Sequence, residues 1–315
     1  MNKFGKIFFS MIAMIMMVAV GSVFTSCTND DDDFRVPAQE SQFDQALGQD
    51  SVAPMTRSLS DWTGLDVRAA DGGFVPGIFL YRRGTANTYV VKVNLSYRQI
   101  KAYYVQNGTS SGVPLFNRYT ASSFNLPSYN WYALVNASFF WLNNTPTKLS
   151  FFLKKNGNVV AAGTSSYSSA TSESPRKYFA IQNGQAYIGS AQWTTTLSGT
   201  TPTTEAQMAA DMDARLPYYD VFCGLDPVLA DKSKTSSLGR TMVGINSSDP
   251  TRVYILVAKS LTQTAAYNYL VNDFGCTDVV MFDGSYSSQF KFTDLDNTGW
   301  GFSSTRPVPV FFAIK

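Results

Sequence analysis

Two short apolar runs flank an amphipathic segment in the C-terminal third of the chain. The first, RVYILVAK at residues 252–259, is too short to span a membrane and is typical of a buried strand. Thr262 can cap a helix whose apolar positions recur at roughly helical spacing until Gly275 ends it. The second run, DVVMFD at residues 278–283, is again strand-like. A strand–helix–strand unit of this length predicts two parallel strands joined by a right-handed crossover.

Asp283 falls at the carboxyl end of the second predicted strand. Open α/β sheets place ligand-binding groups at that edge, and Gly284 lets the backbone turn closely past whatever the carboxylate faces. The alternative is that Asp283 only caps the loop after a core strand. We expect a functional acid here, with the capping role left open.

The rest of the chain predicts mainly antiparallel strands. Residues 85–107 alternate between apolar and polar side chains and predict a strand pair with its turn near Asn94. Two strand–Asn–Gly–strand patterns, at residues 150–161 and 176–189, predict hairpins, and residues 205–215 predict an amphipathic helix. The expected fold class is α+β (mixed α/β), with a mixed sheet in which antiparallel hairpins are followed by the strand–helix–strand unit.

The amino-terminal region has the pattern of an exported lipoprotein. Residues 1–26 carry two lysines, a long apolar run and small residues before Cys27, which predicts a lipoprotein signal peptide and lipidation of Cys27. The acidic run that follows argues against a transmembrane anchor, and it resembles the export signals of some surface lipoproteins. Residues 27–60 predict a flexible tether and residues 61–315 the folded domain. The expected location is the outer membrane, with cell-surface exposure left open.

Charge and histidine content exclude several functions. Removing the signal peptide lowers 25 basic residues to 23, equal to the 23 acidic ones, so neither nucleic acid nor a basic membrane-binding face is expected. The chain has no histidine, which excludes Ser-His-Asp and Cys-His catalysis and HExxH zinc sites. Proton transfer must therefore depend on carboxylates, mostly aspartates. We predict no metal and no cofactor, although calcium bound by oxygens is not excluded.

Two cysteines remain after lipidation, Cys223 and Cys276. Nothing in their spacing shows a disulfide, and buried free thiols are the preferred interpretation over pairing.

Five short motifs follow one another in a recognisable order. They are NASFF at 136–140, GLDPVL at 224–229, RTMVGI at 240–245, FDGSYSS at 282–288 and RPVPVFFAI at 306–314. In this order they resemble the phosphodiester glycosidase family, to which the mannose 6-phosphate uncovering enzyme belongs. The resemblance covers roughly residues 85–315 and implies hydrolysis of a sugar 1-phosphodiester on a glycan or glycolipid.

The resemblance also implies which residues form the site. Position by position it gives catalytic roles to Asp283 and Arg240, and substrate-binding roles to Asn136, Thr241, Gly284, Ser287 and Arg306. The chain departs from the family at Ala137-Ser138 and at Ser285, where glycines are expected. Because side chains narrow a pocket and disfavour positive φ, these departures predict an altered substrate choice or a loss of turnover.

The expected chemistry places few demands on general-acid catalysis. The leaving phosphate monoester has a second pKa of about 6 and is stable as an anion near neutral pH. Arg240 suits the departing phosphate through its planar fork, and Asp283 is the candidate to stabilise the oxocarbenium-like centre or to activate water. A second acid stays unassigned between Asp226 and Asp278.

Two other functional classes stay open from the sequence. One is a non-catalytic cell-surface protein that binds glycans through the same fold, with aromatic side chains that stack on sugars. The other is a structural surface protein without a sugar site.

Overall fold

β-Strands make up most of the regular structure of this protein. The computed structural model describes residues 59–65, 75–164, 174–293 and 299–315. The predicted signal peptide at 1–26, Cys27 and nearly all of the tether at 27–60 lie outside the described residues. No helix within the described ranges is long and apolar enough to cross a membrane.

In chain order the strands are β1 (Trp62–Leu65), β2 (Ile78–Arg83), β3 (Thr88–Asn94), β4 (Ile100–Tyr104), β5 (Gln106–Ser110), β6 (Val113–Phe116), β7 (Ala133–Asn136), β8 (Leu153–Lys155), β9 (Asn158–Ala161), β10 (Arg176–Gln182), β11 (Gln185–Ser190), β12 (Asp220–Leu225), β13 (Leu238–Asn246), β14 (Asp249–Leu261), β15 (Asp278–Phe282), β16 (Phe290–Thr293), β17 (Gly299–Phe302) and β18 (Val310–Ile314). The α-helices are α1 (Glu205–Arg215) and α2 (Gln263–Asn268), and α2 continues into a π-helical turn at Tyr269–Asp273. Short 3₁₀ turns lie at Ala121–Ser123, Leu126–Tyr129 and Ser285–Ser287.

The strands form two main sheets. The larger has eleven strands, with a path β1-β2-β3-β14-β13-β15-β12-β10-β11 and the β8–β9 hairpin attached to β12. The smaller has five, in the order β17-β16-β7-β18-β4, and β5 and β6 pair separately. Every strand pairing in the described residues is antiparallel. The prediction of a mixed sheet is therefore wrong, and the fold is dominated by antiparallel strands with two short helices.

Burial on both faces of the larger sheet explains why its strands look apolar throughout. Val243 and Ile255 pack in one cluster with residues of the smaller sheet. Their neighbours Met242 and Leu256 point the other way and pack in a second cluster that includes residues of α1 and α2. A continuous apolar run in the sequence therefore indicates that both faces of a strand are buried. It does not show whether the strand pairs parallel or antiparallel, because side chains alternate between the two faces in both kinds of sheet.

The strand–helix–strand unit is present with a different pairing from the one predicted. The Thr262 side chain accepts a hydrogen bond from the Ala265 N–H at 3.1 Å, and Gly275 has φ 72° after the π turn. β14 and β15 both pair antiparallel with β13, so they run in the same direction with β13 between them. Asp283 directly follows β15, as the pattern predicted.

Both hairpins and the helix at 205–215 are confirmed, whereas the strand pair at 85–107 is wrong. β8 pairs with β9 and β10 with β11, and Thr204 forms a capping box at the start of α1. β3 and β4 are both strands, but they belong to different sheets. The alternating pattern identified each strand but not its partner, because the connection between them passes from one sheet to the other.

Cys223 and Cys276 are both buried and unpaired, which confirms the prediction of buried free thiols. Burial raises the pKa of the Cys223 thiol to about 12, and it also raises the pKa of Cys276, so neither is a ready thiolate.

Candidate active site

A cleft of about 320 Å³ opens at the carboxyl end of β15. Three other segments complete it: the chain after β7, the loop that leads into β13, and the segment before β18. Its lining residues are Phe139, Phe140, Leu142, Lys232, Ser233, Leu238, Arg240, Met281, Phe282, Asp283, Gly284, Ser285 and Arg306. Asp283 and Arg240, 43 positions apart in the sequence, thus line one cavity.

The backbone of Asp283 is held by two adjacent residues at the end of β7. Its N–H donates to the Ala137 carbonyl at 3.1 Å, and its carbonyl accepts from the Asn136 side-chain amide at 2.6 Å. The carboxylate accepts a hydrogen bond from the Gly284 N–H at 2.9 Å. These contacts present the carboxyl group to the cleft in a single position.

Burial raises the pKa of Asp283 to about 6. Several neighbours oppose this shift: the Ser287 hydroxyl, the Gly284 N–H, and the positive charges of Arg306 and Lys232, in decreasing order. The Ser287 hydroxyl is close enough to lower the pKa but has no hydrogen bond of ordinary geometry within the described residues. Desolvation outweighs all of these neighbours, so the carboxyl group changes charge near pH 6.

Arg306 is placed to meet an anion. Its main-chain N–H donates to the Ser304 hydroxyl at 3.1 Å and its carbonyl accepts from the Gln289 side chain at 3.2 Å, which fixes the backbone. The guanidinium lies 5.2 Å from the ring centroid of Tyr286, whose surface is 68% exposed. Within the described ranges, the Arg306 guanidinium has no hydrogen bond or ion pair, so its planar fork is available for a ligand.

Arg240 is bound to the protein by most of its guanidinium. The side chain is only 3% exposed and donates four hydrogen bonds, to the carbonyls of Leu261, Lys232, Ser233 and Ser236, at 2.7 to 3.1 Å. These use four of the five N–H groups of an arginine. Burial lowers the pKa of Arg240, and the charge of Asp231 opposes this. The geometry supports an anchor for the loop that carries Lys232 and does not support the expected fork on a phosphate.

Asn136, Thr241 and Ser287 lie beneath the cleft and do not line it. All three are fully buried. The Asn136 side-chain oxygen accepts from the Thr241 hydroxyl at 2.8 Å and from the Gln289 N–H at 3.1 Å. Their positions support roles in holding Asp283, in place of the expected direct contact with substrate.

Gly284 allows two strand ends to approach closely. A Cβ atom at Gly284 would come within 2.6 Å of the Gly239 carbonyl oxygen, and one at Gly239 within 2.1 Å of the Ser285 carbonyl oxygen. Only glycine fits at either position without a shift of the backbone. This contact places the turn after Asp283 directly against the start of β13.

Two serines in the cleft have left-handed backbone conformations. Ser285 has φ 56° and Ser233 has φ 59°, and both line the cavity. The resemblance to phosphodiester glycosidases places a glycine at position 285, and the positive φ explains why glycine suits it. Ala137 and Ser138, the other departure, do not have positive φ.

No protein-family model matches the chain, and no curated protein matches it in sequence. Two solved structures align with it over most of its length. The catalytic domain of zebrafish N-acetylglucosamine-1-phosphodiester alpha-N-acetylglucosaminidase, auto-inhibited by its pro-peptide, shares 11% identity over 80% of this chain and 81% of that chain, with a TM-score of 0.45. A Burkholderia pseudomallei protein described as exported shares 11% identity over 75% of this chain and 74% of that chain, with a TM-score of 0.43. The function of the cleft must therefore be inferred from its own residues.

Neither candidate for a second acid reaches the cleft. Asp226 caps the turn after β12 by accepting from the N–H groups of Val228 and Leu229, and it lies 3.4 Å from the Lys177 ammonium. Asp278 begins β15, at the end of the strand opposite Asp283, and accepts from the Thr277 hydroxyl. Among the described residues, Asp283 is the only carboxylate that lines the cavity.

Lys232 and Ser233 line the cleft, and Tyr286 lies beside Arg306 at its edge; sequence reasoning assigned none of the three to the site. Lys232 and Ser233 come from a polar loop without periodicity, and Tyr286 lies inside the quoted FDGSYSS motif. Only the proximity of this loop to Asp283 gives Lys232 a role. In the described part of the chain, no group of three His, Cys, Asp or Glu side chains is placed to hold a metal ion.

Proposed function

We propose that this cleft hydrolyses a sugar 1-phosphodiester. The observation that carries the proposal is the grouping of one carboxyl group of raised pKa, Asp283, with two cations, Arg306 and Lys232, in a single cavity. The cations suit a phosphate and the carboxyl group suits chemistry at the neighbouring anomeric carbon. The ordered motifs that resemble phosphodiester glycosidases support the same reaction.

The proposed reaction needs only one carboxylate. Arg306 and Lys232 bind the phosphate, and Asp283 accepts a proton from a water molecule that attacks the anomeric carbon. The bond from that carbon to the phosphate oxygen breaks, and the phosphate monoester leaves with the electron pair. A leaving group with a second pKa of about 6 does not require a general acid. A pKa near 6 makes Asp283 a stronger base than an ordinary aspartate and leaves it ionised at neutral pH.

Arg240 has a positioning role in this proposal. Its hydrogen bonds to the carbonyls of Lys232, Ser233 and Ser236 hold the loop from which Lys232 faces the cleft. The guanidinium therefore acts on the phosphate through Lys232. The predicted lipid anchor at Cys27 would hold the enzyme at the outer membrane or the cell surface.

A panel of sugar 1-phosphodiesters tests the proposal through the release of reducing sugar. We expect turnover by the wild-type protein, with kcat rising as pH passes 6 because Asp283 must be ionised. Asp283→Asn should lower kcat by about 10²- to 10⁴-fold while retaining affinity for the phosphodiester. The matched control is Asp278→Asn, at the far end of the same strand, which should keep its activity. Release of sugar by Asp283→Asn at the wild-type rate would rule out the proposed base.

A glycan-binding protein without activity is the second candidate. It is favoured by two observations: Asp283 is the only carboxylate lining the cleft among the described residues, and the broad ring of Tyr286 is 68% exposed beside it. Such a protein would bind the panel without releasing sugar, and Asp283→Asn would leave its binding intact. Absence of turnover together with micromolar to millimolar binding would decide for this candidate.

A further inference from the structure

The cleft has an apolar wall in addition to its charged groups. Phe139, Phe140 and Leu142 follow β7 and form this wall together with Leu238, whereas Lys232 and Arg306 supply the charge. Leu142 is 49% exposed although it borders a cavity. The wall offers no side-chain hydrogen-bonding group, so a ligand gains contact there only through apolar surface.

The wall is held in place by the rest of the protein. Arg118 donates to the Leu142 carbonyl at 3.3 Å, and its guanidinium lies 5.8 Å from the ring centroid of Phe140. Phe139 meets the ring of Phe151 edge to face, with centroids 5.3 Å apart. Its shape is therefore set before any ligand arrives.

The aromatic rings of the wall are poorly placed for stacking on a sugar. The Lys232 ammonium lies 5.7 Å from the ring centroid of Phe139, and Arg118 lies near the ring of Phe140. A cation already faces each ring, and Leu142 and Leu238 have no polar group for sugar hydroxyls. The hydroxyl groups that line the cleft belong instead to Ser233 and Ser285, which are not part of this wall.

We infer that the alcohol esterified to the departing phosphate is an alkyl chain, so that the cleft takes a lipid-linked sugar phosphodiester. The phosphate meets Arg306 and Lys232, and the first methylene groups of the alcohol lie along Phe140 and Leu142. This inference rests on the proposed function for the position of the phosphate. The inference adds a preference for an alkyl alcohol over other alcohols, which the charged groups alone do not provide.

Esters of N-acetylglucosamine 1-phosphate with methanol, butanol and octanol test the inference below their micellar concentrations. Dissociation constants are measured with full-length Asp283→Asn, which leaves the wall unchanged, and kcat/KM with the wild-type protein. We expect the octyl ester to bind at least 10-fold more tightly than the methyl ester, with the butyl ester between them, because each buried methylene adds affinity. A 10-fold ratio corresponds to about 1.4 kcal/mol.

Leu142→Ser, made in the Asp283→Asn background, shows whether the wall is responsible. It should reduce the octyl-to-methyl affinity ratio at least threefold. The same substitution at Leu197, which is 65% exposed and does not line the cleft, should leave the ratio unchanged. A ratio near one, a ratio insensitive to Leu142→Ser, or failure of the octyl ester to bind at millimolar concentration would each overturn the inference.

The experiment separates this inference from the proposed function. Hydrolysis of methyl and octyl esters at equal kcat/KM, with equal affinities, would leave the hydrolase standing and remove the alkyl preference. Binding that favours the octyl ester, without turnover by the wild-type protein, would support the alkyl preference and rule out the hydrolase.

Discussion

At Asp283 three physical effects compete over one proton. Burial disfavours the charged carboxylate, while hydrogen-bond donors and two nearby cations favour it. Burial prevails and raises the pKa to about 6, so the group is ionised at neutral pH and destabilises the folded state there. A carboxyl group kept in this condition costs stability, and the cost points to a role other than capping a loop.

Asp283→Asn should therefore stabilise the protein at high pH. The folded-state pKa lies above that of the unfolded chain, so the wild-type free energy of unfolding falls as pH rises from about 4 to about 6 through this group. A neutral asparagine removes that loss, and we expect a gain on the order of 2 kcal/mol at pH 8 that disappears below pH 4. Urea unfolding of both proteins at pH 4 and pH 8 measures it. A gain that is equal at both pH values would contradict the raised pKa.

The left-handed backbone conformations of Ser233 and Ser285 also lower the stability of the folded state locally. Among the described residues, four other non-glycine residues have positive φ and lie in turns or at the end of a 3₁₀ turn: Ser111, Asn130, Asn156 and Asn183. Ser233 and Ser285 instead line the cleft. Each such residue costs on the order of 1 kcal/mol, and strain of this kind concentrates at functional sites.

On the scale of whole elements, the loop between β12 and β13 depends on one arginine. Arg240 lies in β13 and its side chain reaches back to the carbonyls of Lys232, Ser233 and Ser236, which no strand ladder satisfies. A further bond to the Leu261 carbonyl ties this loop to the end of β14. Without the guanidinium, the Lys232 and Ser236 carbonyls would lose this donor, and the Ser233 carbonyl would keep only the Ser236 N–H at 3.0 Å.

Arg240→Lys should release this loop while keeping the charge. A lysine has a single ammonium group and cannot span four carbonyls in the geometry of a planar fork. We expect a loss on the order of 3 kcal/mol in the free energy of unfolding, together with faster amide hydrogen exchange at residues 231–238. Unfolding in guanidinium chloride measures the loss of stability, and hydrogen-exchange mass spectrometry measures the faster exchange.

Arg252→Lys is the matched control, because Arg252 makes a partly exposed ion pair with Asp249 at 3.0 Å. It should change stability by no more than about 1 kcal/mol. If Arg240→Lys resembled this control in stability but lost affinity for phosphodiesters, the guanidinium would be a ligand-binding group and not an anchor.

Local patterns in the sequence were sufficient to identify elements but not their pairing. The hairpins at 150–161 and 176–189, helix α1 and the strand before Asp283 depend on nearby residues, and each is present. The insertion of β13 between β14 and β15 depends on the order of the whole sheet. The periodicity of residues 252–283 cannot distinguish a sheet in which β13 lies between β14 and β15 from one in which β14 and β15 pair directly in parallel, since both arrangements bury the same side chains.

The candidate site was predictable to the same extent. Asp283 could be placed because a strand end carries its own pattern, and the ordered motifs brought Arg240 and Arg306 to the same region. The commitment of Arg240 to backbone carbonyls could not be predicted, because it depends on the conformation of an irregular loop. The position of Lys232 in the cleft could not be predicted for the same reason.

For the molecule as a whole, Asn136 forms a polar link between the two sheets beneath the cleft. It lies in β7 of the smaller sheet, while Thr241 lies in β13 of the larger one. One amide side chain accepts from the Thr241 hydroxyl and the Gln289 N–H, and donates to the Asp283 carbonyl. The sheets otherwise share an apolar core and an ion pair between Lys101 in β4 and Asp220 in β12, at 3.1 Å. The amide of Asn136 therefore fixes the relative position of the sheets next to Asp283.

Asn136→Ala should weaken the whole domain and not only the cleft. The substitution removes the side-chain partner of the buried Gln289 N–H and of the Asp283 carbonyl, and it leaves the Thr241 hydroxyl with only a 3.4 Å contact to the Ser288 hydroxyl. We expect a loss on the order of 3 kcal/mol. Asn246→Ala is the control, because within the described ranges the Asn246 side chain hydrogen-bonds only to Ser248, in the turn between β13 and β14. It should cost at most about 1 kcal/mol. Because the two sheets share one apolar core, tryptophan fluorescence and far-ultraviolet circular dichroism should report coincident unfolding in both variants. Separate transitions in Asn136→Ala would show that the sheets unfold independently, and then the amide could not be what positions Asp283.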